Sequence, residues 1–121
     1  MREITVFERI VAGELPCNKV LENENFLAFH DINPKAPVHI LIIPKVHVKN
    51  FQEVDPQTMV GMTSFIHEVA ALLGVDKTGY RLITNNGDDG GQEVPHLHFH
   101  LLGGAKLVWG HFADANPQGS F

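Results

Sequence analysis

Residues 96–104 read HLHFHLLGG, and this alternation limits what the segment can become. His96, His98 and His100 recur at every second position, with Leu97, Phe99 and Leu101 between and after them. A period of two belongs to a β-strand, whose side chains point alternately to opposite faces. The segment is therefore expected to be a strand with three imidazoles on one face and an apolar row on the other, ended by Gly103-Gly104. At about 3.3 Å per residue, His96 and His100 would stand about 13 Å apart, whereas zinc ligands sit at about 2 Å from their ion. One ion would bridge two neighbours, but hardly the whole row. The row suits a relay of proton donors and acceptors beside an anion.

A single histidine in a strand is most often a satisfied core group or a solvated one. Three in phase behind a glycine-rich stretch, NNGDDGGQ at 85–92, require another account. Gly87, Gly90 and Gly91 let the backbone approach a ligand and aim N–H groups at it, as loops that cradle phosphate do. The run HLHFHLL, with GGQ before it and LLGG at its end, resembles the histidine triad (HIT) superfamily, and within it the Hint branch of nucleotide-binding proteins.

Composition sets the outer limits. The 121 residues make one domain, 1–121, with the resemblance covering about 5–104 and a tail at 105–121 in which no motif stands out. A formal charge of −5 argues against a nucleic-acid partner, which would need basic stripes, yet allows a single nucleotide held by local N–H groups. The lone Cys17 has no partner for an internal disulfide or a cysteine zinc site. No apolar run nears the roughly 20 residues that span a membrane, and no signal-peptide pattern opens the chain, so a cytoplasmic protein is expected.

In chain order, Thr5 and Glu8 form a capping box for a short first helix that ends near Gly13, with Phe7, Ile10 and Val11 on one face. Packing onto the body explains that face by spacing alone; the resemblance adds that Phe7 and Ile10 stand where the family lines its nucleobase pocket. A hairpin follows, with strands at Val20-Leu21 and Phe26–Phe29 around Glu22-Asn23-Glu24-Asn25. Leu27, Phe29 and Asp31 share one face. Asp31 reads as a turn former beside Asn33-Pro34, or, through the family segment F-H-D-I, as the acceptor of the ribose hydroxyls. By the same resemblance Phe29 and Ile32 lie against the base, with the backbone of His30 near the nucleoside.

Residues 37–43, PVHILII, look like a strand buried on both faces and stopped by Pro44. His39 interrupts it. As a core histidine it would bond to backbone; through A-P-x-H-x-L-x-I-P-K-x-H the resemblance makes it a support for the triad from a neighbouring strand. His47 closes the same motif and fits a surface position equally well. Asp55-Pro56 opens the longest helix, whose core face carries Met59, Met62, Ile66, Val69 and Leu73, with Gly74 as the stop and His67 off the stripe. Tyr80 to Thr84 is the next strand. Asn85 and Gln92 flank the glycine loop and match family positions that contact ribose-phosphate, and Gly91 lies between them.

Short strands with one long and one short helix predict an α+β domain around an antiparallel sheet. The resemblance sharpens this to a five-stranded sheet that pairs with a second copy into a ten-stranded homodimer. It implies a purine nucleotide ligand of AMP or GMP type and a nucleoside 5′-phosphoramidate hydrolase. His98 would be the nucleophile, His100 would hold phosphoryl oxygens, and His96 and His39 would orient the row. No metal or other cofactor is implied. Dinucleoside polyphosphate hydrolysis and a non-catalytic nucleotide-binding scaffold are the alternatives. Two positions depart from the branch: Glu93, where animal members carry serine, and Pro95, where tyrosine is common. Glu93 brings an anion to the phosphate and leaving-group region.

Overall fold

A computed structural model describes residues 2–110 and 112–113. His111 and the tail beyond 113 lie outside the described residues. The first helix, α1 (Val6–Val11), starts at Thr5, whose hydroxyl accepts from Glu8 N–H while the Glu8 carboxylate accepts from Thr5 N–H. Two short strands follow, β1 (Lys19–Glu22) and β2 (Phe26–His30), then β3 (Val38–Pro44). The long helix α2 (Pro56–Leu72) is capped by Asp55, which accepts from Thr58 N–H. It leads to α3 (Val75–Thr78), β4 (Tyr80–Ile83) and β5 (Phe99–Gly103). The five strands form one antiparallel sheet in the order β1-β2-β3-β5-β4.

Alternation along the strands sorts the core into two layers. Phe26, Ala28, Ile40, Ile42, Phe99 and Leu101 meet Met62, Phe65, Ile66 and Val69 of α2. Leu27, Phe29, Leu41 and Ile43 face the other way and pack with Phe7 of α1. The central strand β3 is thus buried on both faces, as its unbroken apolar run requires.

Three expectations need correction. The triad segment is a strand only from Phe99, so His96, Leu97 and His98 precede β5. The ladder stops short of them: β3 pairing with β5 reaches no further than Ile42 opposite Phe99, and Pro44, in register with Leu97, has no N–H to donate. The backbone there uses other partners, Leu97 N–H donating to Val48 O at 2.7 Å. The alternation survives, since Leu97 joins the α2-side core while the His98 ring packs edge-on to Phe7 of the opposite layer. Secondly, the described residues hold two short helices, not one. The four residues of α3 are too few for a periodic signal and are delimited by Gly74 and Gly79, both at positive φ. Thirdly, β1 runs through Lys19–Glu22, with an irregular register between Lys19 and Leu21.

The LLGG ending has a packing reason. A Cβ on Gly103 would stand 3.1 Å from Val75 Cγ1 and 3.4 Å from Gly79 O, so a side chain there would push α3 back from β5 by a few tenths of an ångström. Among the described residues no helix is long and apolar enough to cross a membrane.

Candidate active site

Strand parity builds the site on the α1 side of the sheet. Leu41 lies opposite Phe29 on β2 and opposite His100 on β5, so residues in phase with Leu41 share its face. His39 is in phase on β3, and Asp31, just past β2, is tied across by its N–H to His39 O at 3.0 Å. The His39 Nε2 atom lies 2.9 Å from His100 Nδ1 and 3.4 Å from Asp31 Oδ2. The His98 and His100 ring centroids are 5.2 Å apart, and Phe7 stands edge-on to His98 at 5.0 Å.

Backbone partners assign the tautomers. Lys35 N–H donates to His39 Nδ1 at 3.0 Å, so a neutral His39 carries its proton on Nε2 and donates it to His100 Nδ1. His100 then keeps its own proton on Nε2. The His98 Nδ1 atom lies 2.7 Å from His96 O, which only accepts, so His98 carries its proton on Nδ1 and leaves a lone pair on Nε2. The row thus presents one imidazole with an unprotonated Nε2 beside a neighbour whose Nε2 carries a proton.

Burial keeps these rings neutral. Desolvation lowers the pKa of His39, His96 and His98 below 6.5, and for His98 the acceptor His96 O and the charges of Asp31 and Glu93 oppose it. His100 falls to about 4, through burial first and then the neighbouring His98 and His39.

The His39, His98 and His100 rings border a cleft of about 590 Å³, within the usual range for a small-molecule site. Of the residues singled out by sequence, Phe7, Asp31, Ile32, His39, Asn85, Gly91, Glu93, His98 and His100 line it. Ile10, Phe29, His30, Gln92 and His96 do not. Phe29 is buried and meets Phe7 edge-on at 5.9 Å, Ile10 packs in the layer behind, and the His30 side chain is exposed. The His96 ring is fully buried, with Nε2 donating to Pro44 O at 2.8 Å and Nδ1 beside the Thr5 hydroxyl at 3.4 Å. It is the His96 carbonyl that touches the row. Gln92 ties down the glycine loop: its amide donates to Lys49 O and Val94 O and its Oε1 accepts from Gly87 N–H.

The loop itself corrects an expectation. Gly91 N–H donates to Asp88 O and Gly87 N–H to Gln92 Oε1, so two of the three glycines expected to aim N–H groups at phosphate serve the loop's own turn, as does Gln92 N–H, which donates to Gly87 O. Gly90 makes that turn possible, since a Cβ there would lie 2.5 Å from Asn86 O. The turn-former reading of Asp31 holds, and its two oxygens have separate surroundings. Oδ1 accepts from Asn33 N–H at 2.8 Å as a turn former, while Oδ2 is the atom nearest His39.

Sequence reading passed over Lys35, whose backbone sets the His39 tautomer, and gave no role to His47. The His47 Nε2–H donates to Pro95 O at 2.8 Å and the ring packs edge-on to His96, bracing the approach to the row. Its place as the last residue of A-P-x-H-x-L-x-I-P-K-x-H was the available signal. Among the described residues, two clusters bring metal-binding atoms within 4.8 Å: Glu8, His47 and His96, and Asp31, His39 and His100. In the first, the Glu8 carboxylate already accepts from Arg2 and from Thr5 N–H. In the second, Lys35 N–H at His39 Nδ1 places a proton on the very Nε2 atom that a metal would need. A second groove, of about 430 Å³, runs along α2 at Phe51, Val54, Met59 and Val60 and has no titratable group in its wall.

Fold and site together define a small antiparallel α+β domain with a cleft-lining histidine row on one sheet face. The HIT domain family model matches residues 12–107, and the chain belongs to that family. It is 56% identical over 103 residues to a HIT-like protein of Helicobacter pylori, covering 85% of this chain and 99% of that one. A HIT family hydrolase from Clostridium thermocellum is 43% identical with a TM-score of 0.84, covering 93% of this chain and all of the other. The histidine triad nucleotide-binding protein of Candida albicans is 29% identical with a TM-score of 0.77, covering 92% and 86%.

Proposed function

We propose that this protein is a Hint-type hydrolase of purine nucleoside 5′-phosphoramidates that works through a nucleotidyl-His98 intermediate. The observation that carries this reading is the His98 ring, anchored through Nδ1 to His96 O with Nε2 left unprotonated in the wall of the cleft. The hydrolase relative from Clostridium thermocellum and the nucleotide-binding relative from Candida albicans support the class.

In the first step His98 Nε2 attacks the α-phosphorus and the P–N bond of the substrate breaks. The leaving nitrogen takes a proton from water at the open rim and departs as an amine. His100, with its proton on Nε2, donates to a phosphoryl oxygen as charge builds there, and His39 strengthens that donor by donating to His100 Nδ1. In the second step water attacks the same phosphorus, the bond to His98 breaks, and a nucleoside monophosphate leaves. The ribose hydroxyls fall to Asp31, and the base to the apolar wall of Phe7 and Ile32. Asn85 and Gly91 border the phosphate, while Gln92 and the His96 carbonyl hold the elements that surround it.

We also infer a homodimer paired through β4. This strand closes one edge of the sheet, and its Leu82 and Tyr80 side chains are exposed. Ultracentrifugation tests this; a monomer at micromolar concentration would end it.

Mixing the enzyme with substrate labelled in the α-phosphate and quenching in base should leave label on the protein, because phosphohistidine survives alkali. If the wild type never carries label in a single turnover, direct attack by water is the better mechanism. Steady-state hydrolysis with and without chelator separates the rival classes: a nucleotide-binding scaffold shows no turnover, and a metal enzyme loses it with chelator.

A further inference from the structure

We infer that Glu93 makes the cleft selective for leaving groups that carry positive charge, so that the substrate class narrows to nucleoside 5′-phosphoramidates of cationic amines. This deepens the reading above and rests on it.

The wall of the cleft has two halves. Asp31, Asn33 and Lys35 come from the connection between β2 and β3; Asn85, Gly91, Glu93 and Val94 come from the glycine loop and its exit. His39 and His100 adjoin the first half through the contacts to Asp31. With the ribose on Asp31 and phosphorus at His98, the second half is the part of the wall left for the amine that departs from phosphorus. There Glu93 is the one charged side chain among the described lining residues. Lys35, the cation of the wall, stands on the nucleoside side with its Nζ donating to Asn33 O at 3.0 Å.

The Glu93 charge is unneutralised, since no Lys, Arg or His nitrogen lies within 4.0 Å of its carboxylate among the described residues. It acts on the site, for it opposes the burial that lowers the His98 pKa. Asp88 and Asp89 of the same loop are exposed and add to the negative field. An ammonium on the departing amine is attracted here. A carboxylate, or the phosphates of a second nucleotide, is repelled, which also disfavours dinucleoside polyphosphates.

The test uses three adenosine 5′-phosphoramidates of one short alkylamine that ends in ammonium, hydroxyl or carboxylate. Wild-type kcat/KM should fall in that order by about threefold to tenfold per step, the scale of one charge pair across partly aqueous solvent. Glu93→Gln should level the series and Glu93→Lys should invert it. Glu93 is exposed, so neither change disturbs the core. Equal efficiency on all three by the wild type, or an unchanged order in Glu93→Gln, overturns the inference while leaving the phosphoramidase reading intact. Turnover of none of the three overturns the phosphoramidase reading and this one with it.

Discussion

One face of the sheet is covered by α2 and the other by α1, and helix length separates what the two faces do. The 17 residues of α2 span about 25 Å, enough to lie along the whole sheet, and 13 buried apolar residues close that side. The six residues of α1 span about 9 Å and cover only the part around Phe7, Leu27, Phe29, Leu41 and Ile43. What α1 leaves open is the cleft, and the side chains in phase with Leu41 there are Asp31, His39 and His100. The same alternation therefore yields a stability face and a chemical face, according to which positions receive a lid. The two should fail differently.

The largest effect is expected on the chemical face. His98→Ala should lower turnover by about four orders of magnitude, about 5.4 kcal/mol of transition-state stabilisation, while monophosphate binding changes by less than about tenfold. Activity above a few per cent of wild type would move the nucleophile elsewhere.

The α2 face should answer in stability instead. Phe65 is almost fully buried there and packs on Phe26 at 5.6 Å, so Phe65→Ala should cost about 3–5 kcal/mol in denaturant unfolding. The kcat of the folded fraction should hold. A loss of kcat without loss of stability would mean that the two faces are coupled through the sheet.

A smaller change is expected at Asp31. A 2′-deoxy substrate should lose about tenfold to a hundredfold in kcat/KM, as charged hydrogen bonds contribute about 1.5–3 kcal/mol. Asp31→Asn should weaken ribonucleotides and shrink that gap, because both changes remove one contact. Full additivity in the double cycle would leave Asp31 as a turn former only, acting through Asn33 N–H.

A further difference is the pH dependence that only the chemical face should show. His39, His96, His98 and His100 titrate below 6.5 in the native state, His100 near 4. Below pH 6.5 the unfolded chain takes up protons that these buried rings refuse. Their contribution is thus complete above that pH and is lost as pH falls towards 4. Glu8, lowered to about 2 by the Arg2 ion pair and Thr5 N–H, adds its own loss only below 4.5. The unfolding midpoint should fall between pH 7 and 5, and His100→Gln should flatten that fall. Since the α2-side core around Phe65 is built of apolar side chains among the described residues, Phe65→Ala should shift the midpoint equally at every pH. A midpoint that is level from pH 7 to 5 would contradict the buried neutral rings.

The sequence by itself determined everything that depends on local periodicity and capping. Period-two alternation around His96–Leu101 and through PVHILII placed the core and the histidines on their faces. Thr5 with Glu8, and Asp55 with Pro56, started the helices where they stand, because caps act within one turn of chain. Only the tertiary structure decided which groups meet. The strand order puts His39 beside His100 across 61 residues of chain, and a loop residue, Lys35, fixes the tautomer of that pair. Where β5 begins followed from the last pairing with β3, at Ile42, and from Val48 O taking the Leu97 N–H, not from the pattern of the triad itself. It likewise turned the His96 ring into the interior and left its carbonyl to hold His98. A side-chain pattern fixes the face on which a residue lies, but the partner of each polar atom depends on chain segments far away in sequence, and so belongs to the fold.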